Sequence, residues 1–97
     1  MRSEAKGIVR ALYDDLSQAP VAGTADIMEV LGKVMQRLND PDQSEVKIIN
    51  RLAGYIAFTV FTNKIRFTKT QNLLVSQLMS AADNGLYQGN YGDKSWF

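Results

Sequence analysis

Residues 44–62, SEVKIINRLAGYIAFTVFT, decide the fold. Val46, Ile49, Leu52, Ala53, Ile56 and Val60 recur at three- and four-residue steps, the spacing of one face of an α-helix. Ile48, Tyr55 and Phe58 widen that stripe, and a helix apolar over so much of its circumference needs neighbours on more than one side, as inside a bundle. Its most apolar window, 52–61, is bounded by Arg51 and by Asn63 and Lys64. That is far short of the ~20 residues needed to span a membrane. Ser44 is a good N-cap, so a helix is expected over about 44–63, some 28 Å long at about 1.5 Å per residue. The β-branched and aromatic window 58–67 is the place where extended structure competes.

Working outward, Ile27, Val30, Leu31, Val34, Met35 and Leu38 mark a preceding helix over about 25–39, capped by Thr24 or Asp26 and ended by Asn39-Asp40-Pro41. Ala5, Ile8, Val9, Leu12 and Leu16 mark another over about 4–19. It should stop before Pro20 and Gly23, because proline removes a helix donor and disfavours helical geometry in the residue before it. On the other side, Thr68-Lys69-Thr70-Gln71 has the capping-box pattern and opens a helix over about 69–84 with Leu74, Leu78 and Ala81 on its core face. Asn84-Gly85 reads as its stop. Four amphipathic helices on short links imply an all-α fold, an antiparallel up-down-up-down four-helix bundle. A single domain over 1–97 with an irregular tail over 85–97 is expected.

The 97 residues include no cysteine and no histidine. This removes disulfides, thiolate zinc sites, the commonest general base and the usual activator of serine. The N-terminus intersperses Arg2, Glu4, Lys6 and Arg10 and never reaches the apolar run of a signal peptide, so a cytoplasmic location is expected. A net charge of +1 hides an asymmetry: residues 1–45 carry eight acids and five bases, residues 46–97 six bases and two acids.

Candidate chemistry is sparse. Asp14 and Asp15 are adjacent and point about 100° apart on a helix, so they read as a solvated patch rather than an acid and base pair. Asp26, Glu29, Asp40, Asp42 and Glu45 cluster near helix starts, where negative charge complements the dipole. The segment 40–45 lacks the register and turn glycine of a calcium loop, and neither metal nor cofactor is expected. The basic set Lys47, Arg51, Lys64, Arg66 and Lys69 admits three readings: a solvated rim, a patch for a protein or anionic membrane surface, or a nucleic-acid contact. A near-neutral chain without a clear recognition helix speaks against the last. An enzyme of chorismate mutase type, holding a dianion with Arg10, Lys33, Arg37 and Arg51, is a further alternative. That architecture needs a long first helix, and Pro20 and Gly23 interrupt this one. The tail, GLYQGNYGDKSWF, holds four of the nine aromatics. Leu86 and Tyr87 are expected to fold back on the bundle, leaving 91–97 for a partner, since Trp and Tyr are enriched at binding hot spots.

The segments AKGIVRALYDDL, ADIMEVLGKVMQRL, IINRLAGYIAFTVFTNKIRFTKTQ and GLYQGNYGDKSWF together resemble the immunity proteins of class IIa, pediocin-like bacteriocins, in the enterocin A immunity branch. TNKIRFT and YGDKS are the most specific parts. The resemblance implies a non-catalytic, cytosolic four-helix bundle that protects a producing lactic acid bacterium from its own membrane-permeabilising peptide. Its implied partners are the membrane components of the mannose phosphotransferase system together with the cognate bacteriocin. It implies no nucleic acid and no cofactor, and the protein is expected to act as a monomer. Recognition then falls on Asn63, Lys64, Arg66 and Lys69 at the exit of the third helix and on Tyr87, Tyr91, Asp93, Lys94, Ser95, Trp96 and Phe97 in the tail. The exit cations can also face anionic headgroups at the inner face of the membrane, each contributing about 1 kcal/mol there.

Overall fold

In a computed structural model, which describes residues 4–82 and Phe97, the apolar stripes form four helices: α1 (Glu4–Gln18), α2 (Ala25–Leu38), α3 (Glu45–Asn63) and α4 (Lys69–Ala81). No strand occurs among the described residues. The fold is an all-α helical bundle in which each helix packs against its chain neighbours and α1 against α4 closes the ring. Val9, Leu12 and Leu16 of α1, Ile27, Val30, Leu31 and Val34 of α2, Ile48, Ile49, Leu52 and Ile56 of α3, and Leu78 of α4 fill the core. Burial of each large aliphatic side chain contributes about 1.5–3 kcal/mol relative to exposure.

The helix in 58–67 runs through to Asn63, so extended structure is confined to the link that follows. Two residues of the α3 stripe fall outside the core. Val46, in the first turn at the bundle's end, is 58% exposed, and Phe58 is 47% exposed because it lies on the opposite side of Ala57 from Ile56. Ser44 caps α3 as its sequence suggests, accepting from the Lys47 N–H at 3.3 Å. Thr24 occupies the N-cap of α2 but does not cap it with its side chain. With φ −101° and ψ 6° it departs from the extended cap geometry, and its hydroxyl donates instead to the Val21 carbonyl at 2.6 Å. Helix α4 ends at Ala81, short of the expected stop at 84. Ala82 leaves the helix with ψ 145°, and Asn84-Gly85 lies outside the described residues.

One end of the bundle is tied by contacts distant in sequence. Gly23 has φ +85°, and a Cβ there would lie 3.3 Å from Cγ1 of Ile65. Glycine therefore meets two demands at once, a left-handed backbone and close approach of the α3–α4 link. The Asn63 amide donates to the Gly23 carbonyl at 3.3 Å, and Nε2 of Gln71 donates to the Ala19 carbonyl at 2.9 Å. These bonds gather the end of α1, the start of α2, the end of α3 and the start of α4 around the α3–α4 link.

Candidate recognition surface

The α3–α4 link is built to hold cations outward. Lys64 is the C-cap of α3 in the left-handed conformation, φ 54° and ψ 48°, with its N–H on the Val60 carbonyl. A side chain bearing Cβ costs roughly 1–2 kcal/mol there, where glycine or asparagine fits with less strain. Ile65 also returns its N–H to Val60, at 3.1 Å. From Lys64 to Phe67 the side chains alternate: Ile65 is buried and Phe67 half-buried against the core, while Lys64 and Arg66 are exposed. This is the inside-outside alternation of an extended segment, with two apolar anchors fixing two cations.

The capping box then fixes Lys69. The Thr68 hydroxyl accepts from the Gln71 N–H at 3.2 Å, and Oε1 of Gln71 accepts from the Thr68 N–H at 3.1 Å. Lys69, the first residue of α4, is exposed. Asn63 is exposed as well, but its amide is engaged with Gly23 and clamps the link to the α1–α2 turn.

Arg51 does not join this surface. The sequence suggests that Lys47 and Arg51 share a basic face, yet Lys47 is exposed and Arg51 is 6% exposed. Its helical neighbours Ile48 and Tyr55 are both buried, so its position on α3 turns inward. The same placement weakens the dianion site, which also needs Lys33. The Lys33 ammonium lies 3.4 Å from the Glu29 carboxylate on α2. A groove of about 700 Å³ between α1 and α4 is lined, among the described residues, by Gly7, Ile8, Ala11, Leu74, Gln77 and Ser80 and others without charge. Nothing in that lining would hold a dianion. Among the described residues no group of His, Cys, Asp or Glu is placed to hold a metal ion.

Of the tail candidates, Tyr87, Tyr91, Asp93, Lys94, Ser95 and Trp96 lie outside the described residues, as does the expected fold-back at Leu86. Phe97 is described. Its ring stands edge-on to Tyr55 of α3, 5.8 Å between centroids at 75°, and is half-buried against the core. The chain's last residue is thereby seated on the helix that ends in Lys64, about 14 Å from it along the axis at 1.5 Å per residue.

Phe61, on no face singled out in the sequence, is 83% exposed. The available signal was the excess of apolar residues on α3 beyond what its neighbours can cover. No described helix is long and apolar enough to cross a membrane.

No family model matches the chain. A probable leucocin-A immunity protein of Leuconostoc gelidum is 38% identical over 80 residues, 78% of this chain and 70% of that one. A probable mesentericin-Y105 immunity protein of Leuconostoc mesenteroides is 36% identical over 99 residues, covering 97% of this chain and 87% of that one. Among solved structures, EntA-im superimposes with a TM-score of 0.72 at 41% identity, over 81% of this chain and 100% of that one. EntA-im is a bacterial immunity protein conferring immunity to the pediocin-like bacteriocin enterocin A. The two sequence relatives and the shared bundle agree: the chain belongs to the non-enzymatic family of immunity proteins for pediocin-like, class IIa bacteriocins.

Proposed function

We propose that this protein protects a bacteriocin-producing cell from its own class IIa pore-forming peptide. It acts from the cytosol, without catalysis, by binding the membrane components of the mannose phosphotransferase system once the bacteriocin has engaged them. A receptor complex held in this way cannot form or keep an open pore. Peripheral association with the inner face of the membrane accompanies that binding. The observation that carries the reading is the kinship with EntA-im, which spans the whole of that chain.

The exit of α3 and the tail are the proposed reading surface. The support is physical: Lys64 sits in a strained backbone conformation that glycine would adopt more easily, and Ile65 and Phe67 anchor the link so that Lys64 and Arg66 face solvent. Phe97 seats the end of the tail on the same helix.

Replacing Lys64, Arg66 and Lys69 together with glutamine tests this. All three are exposed, so stability should change by only about 0.5 kcal/mol, while protection of a sensitive strain should fall sharply. Unimpaired protection would return these residues to a solvated rim. A pull-down of the receptor components, with and without added bacteriocin, should show capture that depends on the peptide.

A further inference from the structure

We infer that the outer face of the last two turns of α3 docks on an anionic lipid bilayer, with Phe61 and Phe58 entering the interface and Lys64, Arg66 and Lys69 meeting the headgroups. This deepens the reading of the α3 exit given above and rests on the same cations. Phe61 is 83% exposed and Phe58 47%, and their three-residue spacing puts them on one helical face. Thr62 beside them turns its hydroxyl back onto the Phe58 carbonyl at 2.8 Å, which satisfies the one polar group its side chain brings to that face. A ring exposed to this extent projects rather than lines a groove. It suits a surface that deforms around it, and a bilayer interface does so.

The charge pattern selects an anionic surface. Residues 46–82 contain no acid, and three of their five bases, Lys64, Arg66 and Lys69, lie at the docking end, Lys47 being at the start of α3 and Arg51 buried. The acids of the α2–α3 link, Asp40 and Asp42, and Glu45 at the start of α3 lie at the far end of that helix, about 28 Å away at 1.5 Å per residue. The acids nearer the docking end, Asp14, Asp15 and Asp26, belong to α1 and α2. It is therefore the outer face of α3, which carries no acid after Glu45, that presents cations and aromatics to the headgroups, with the acidic α2–α3 link kept farthest from them.

Vesicle binding needs neither bacteriocin nor receptor, so its failure is distinguishable from failure of the immunity reading. The full chain should co-sediment with vesicles of mixed phosphatidylglycerol and phosphatidylcholine, and not with phosphatidylcholine alone. Binding should vanish in 1 M salt, where the screening length falls to about 3 Å. Glutamine at 64, 66 and 69 should weaken it on the order of 100-fold, from the contribution of each cation near such a surface. Phe58→Ser with Phe61→Ser should weaken it by at least about 10-fold, from the apolar surface no longer inserted. Phe61→Ser alone, at the more exposed position, should give part of that loss with unchanged circular dichroism. No binding to phosphatidylglycerol vesicles, equal binding to phosphatidylcholine, or wild-type binding by the serine variants would overturn the proposal. Capture only by vesicles carrying native membrane proteins would assign the surface to a protein and overturn it equally.

Discussion

Gln71→Ala should destabilise the protein by about 3 kcal/mol. Gln71 is completely buried on α4 and makes two side-chain bonds at the same end of the bundle. Its Oε1 closes the capping box on the Thr68 N–H, and its Nε2 reaches the Ala19 carbonyl at the end of α1. Alanine removes both bonds, leaves a carbonyl and an N–H without their partners, and opens a small void. A lost cap costs about 1 kcal/mol, and a buried polar group left unsatisfied costs about 1–3 kcal/mol. Thr68→Ala removes only the side-chain acceptor of the cap and should cost about 1 kcal/mol. The excess loss in Gln71→Ala reports the tie between α4 and α1 together with the Gln71 half of the capping box and the void. Gln71→Glu keeps an acceptor for the cap but sets a carboxylate against the Ala19 carbonyl, and should be no better tolerated than alanine near pH 7. Urea denaturation of the three variants measures this. Equal losses for Gln71→Ala and Thr68→Ala would show that the Ala19 bond adds nothing.

Ending the chain at Gly85 should abolish protection while leaving the four helices in place. All four lie within residues 4–81, so the helical circular dichroism should survive. The truncation removes the edge-on contact of Phe97 with Tyr55, which for such a pair contributes about 0.5–1.5 kcal/mol. A modest drop in thermal stability is therefore expected beside a complete loss of immunity. Phe97→Ala separates anchoring from recognition, because it releases the end of the tail and leaves the rest of its side chains intact. Full protection by the truncated protein would remove the tail from the recognition surface.

The parts of the fold legible in the sequence are those set by local chemistry. Hydrophobic periodicity places all four helices, and the caps at Ser44 and at Thr68 with Gln71 depend on groups three residues apart. What could not be read depends on which neighbour arrives. Arg51 and Lys47 are four residues apart on one helix, yet Arg51 is buried and Lys47 is not, because Ile48 and Tyr55 carry that part of α3 inward. Phe61 is exposed because it lies on the side of α3 away from the buried Leu52, Ile56 and Thr59. Gly23 reads as a helix breaker, but its second role, admitting Ile65, appears only when the two links meet. The inward and outward alternation that displays Lys64 and Arg66 was present in the order of residues 64–67. It lacked meaning until Gly23 and Asn63 located the link against the α1–α2 turn.

The most direct test of the proposed immunity is expression of the full chain in a strain sensitive to class IIa bacteriocins, followed by challenge with several of them. Survival against one subset, with continued killing by the others and by unrelated pore-forming peptides, is the expected result. Killing by every class IIa bacteriocin at the same dose as in cells carrying an empty vector, with the protein present and folded, would contradict it.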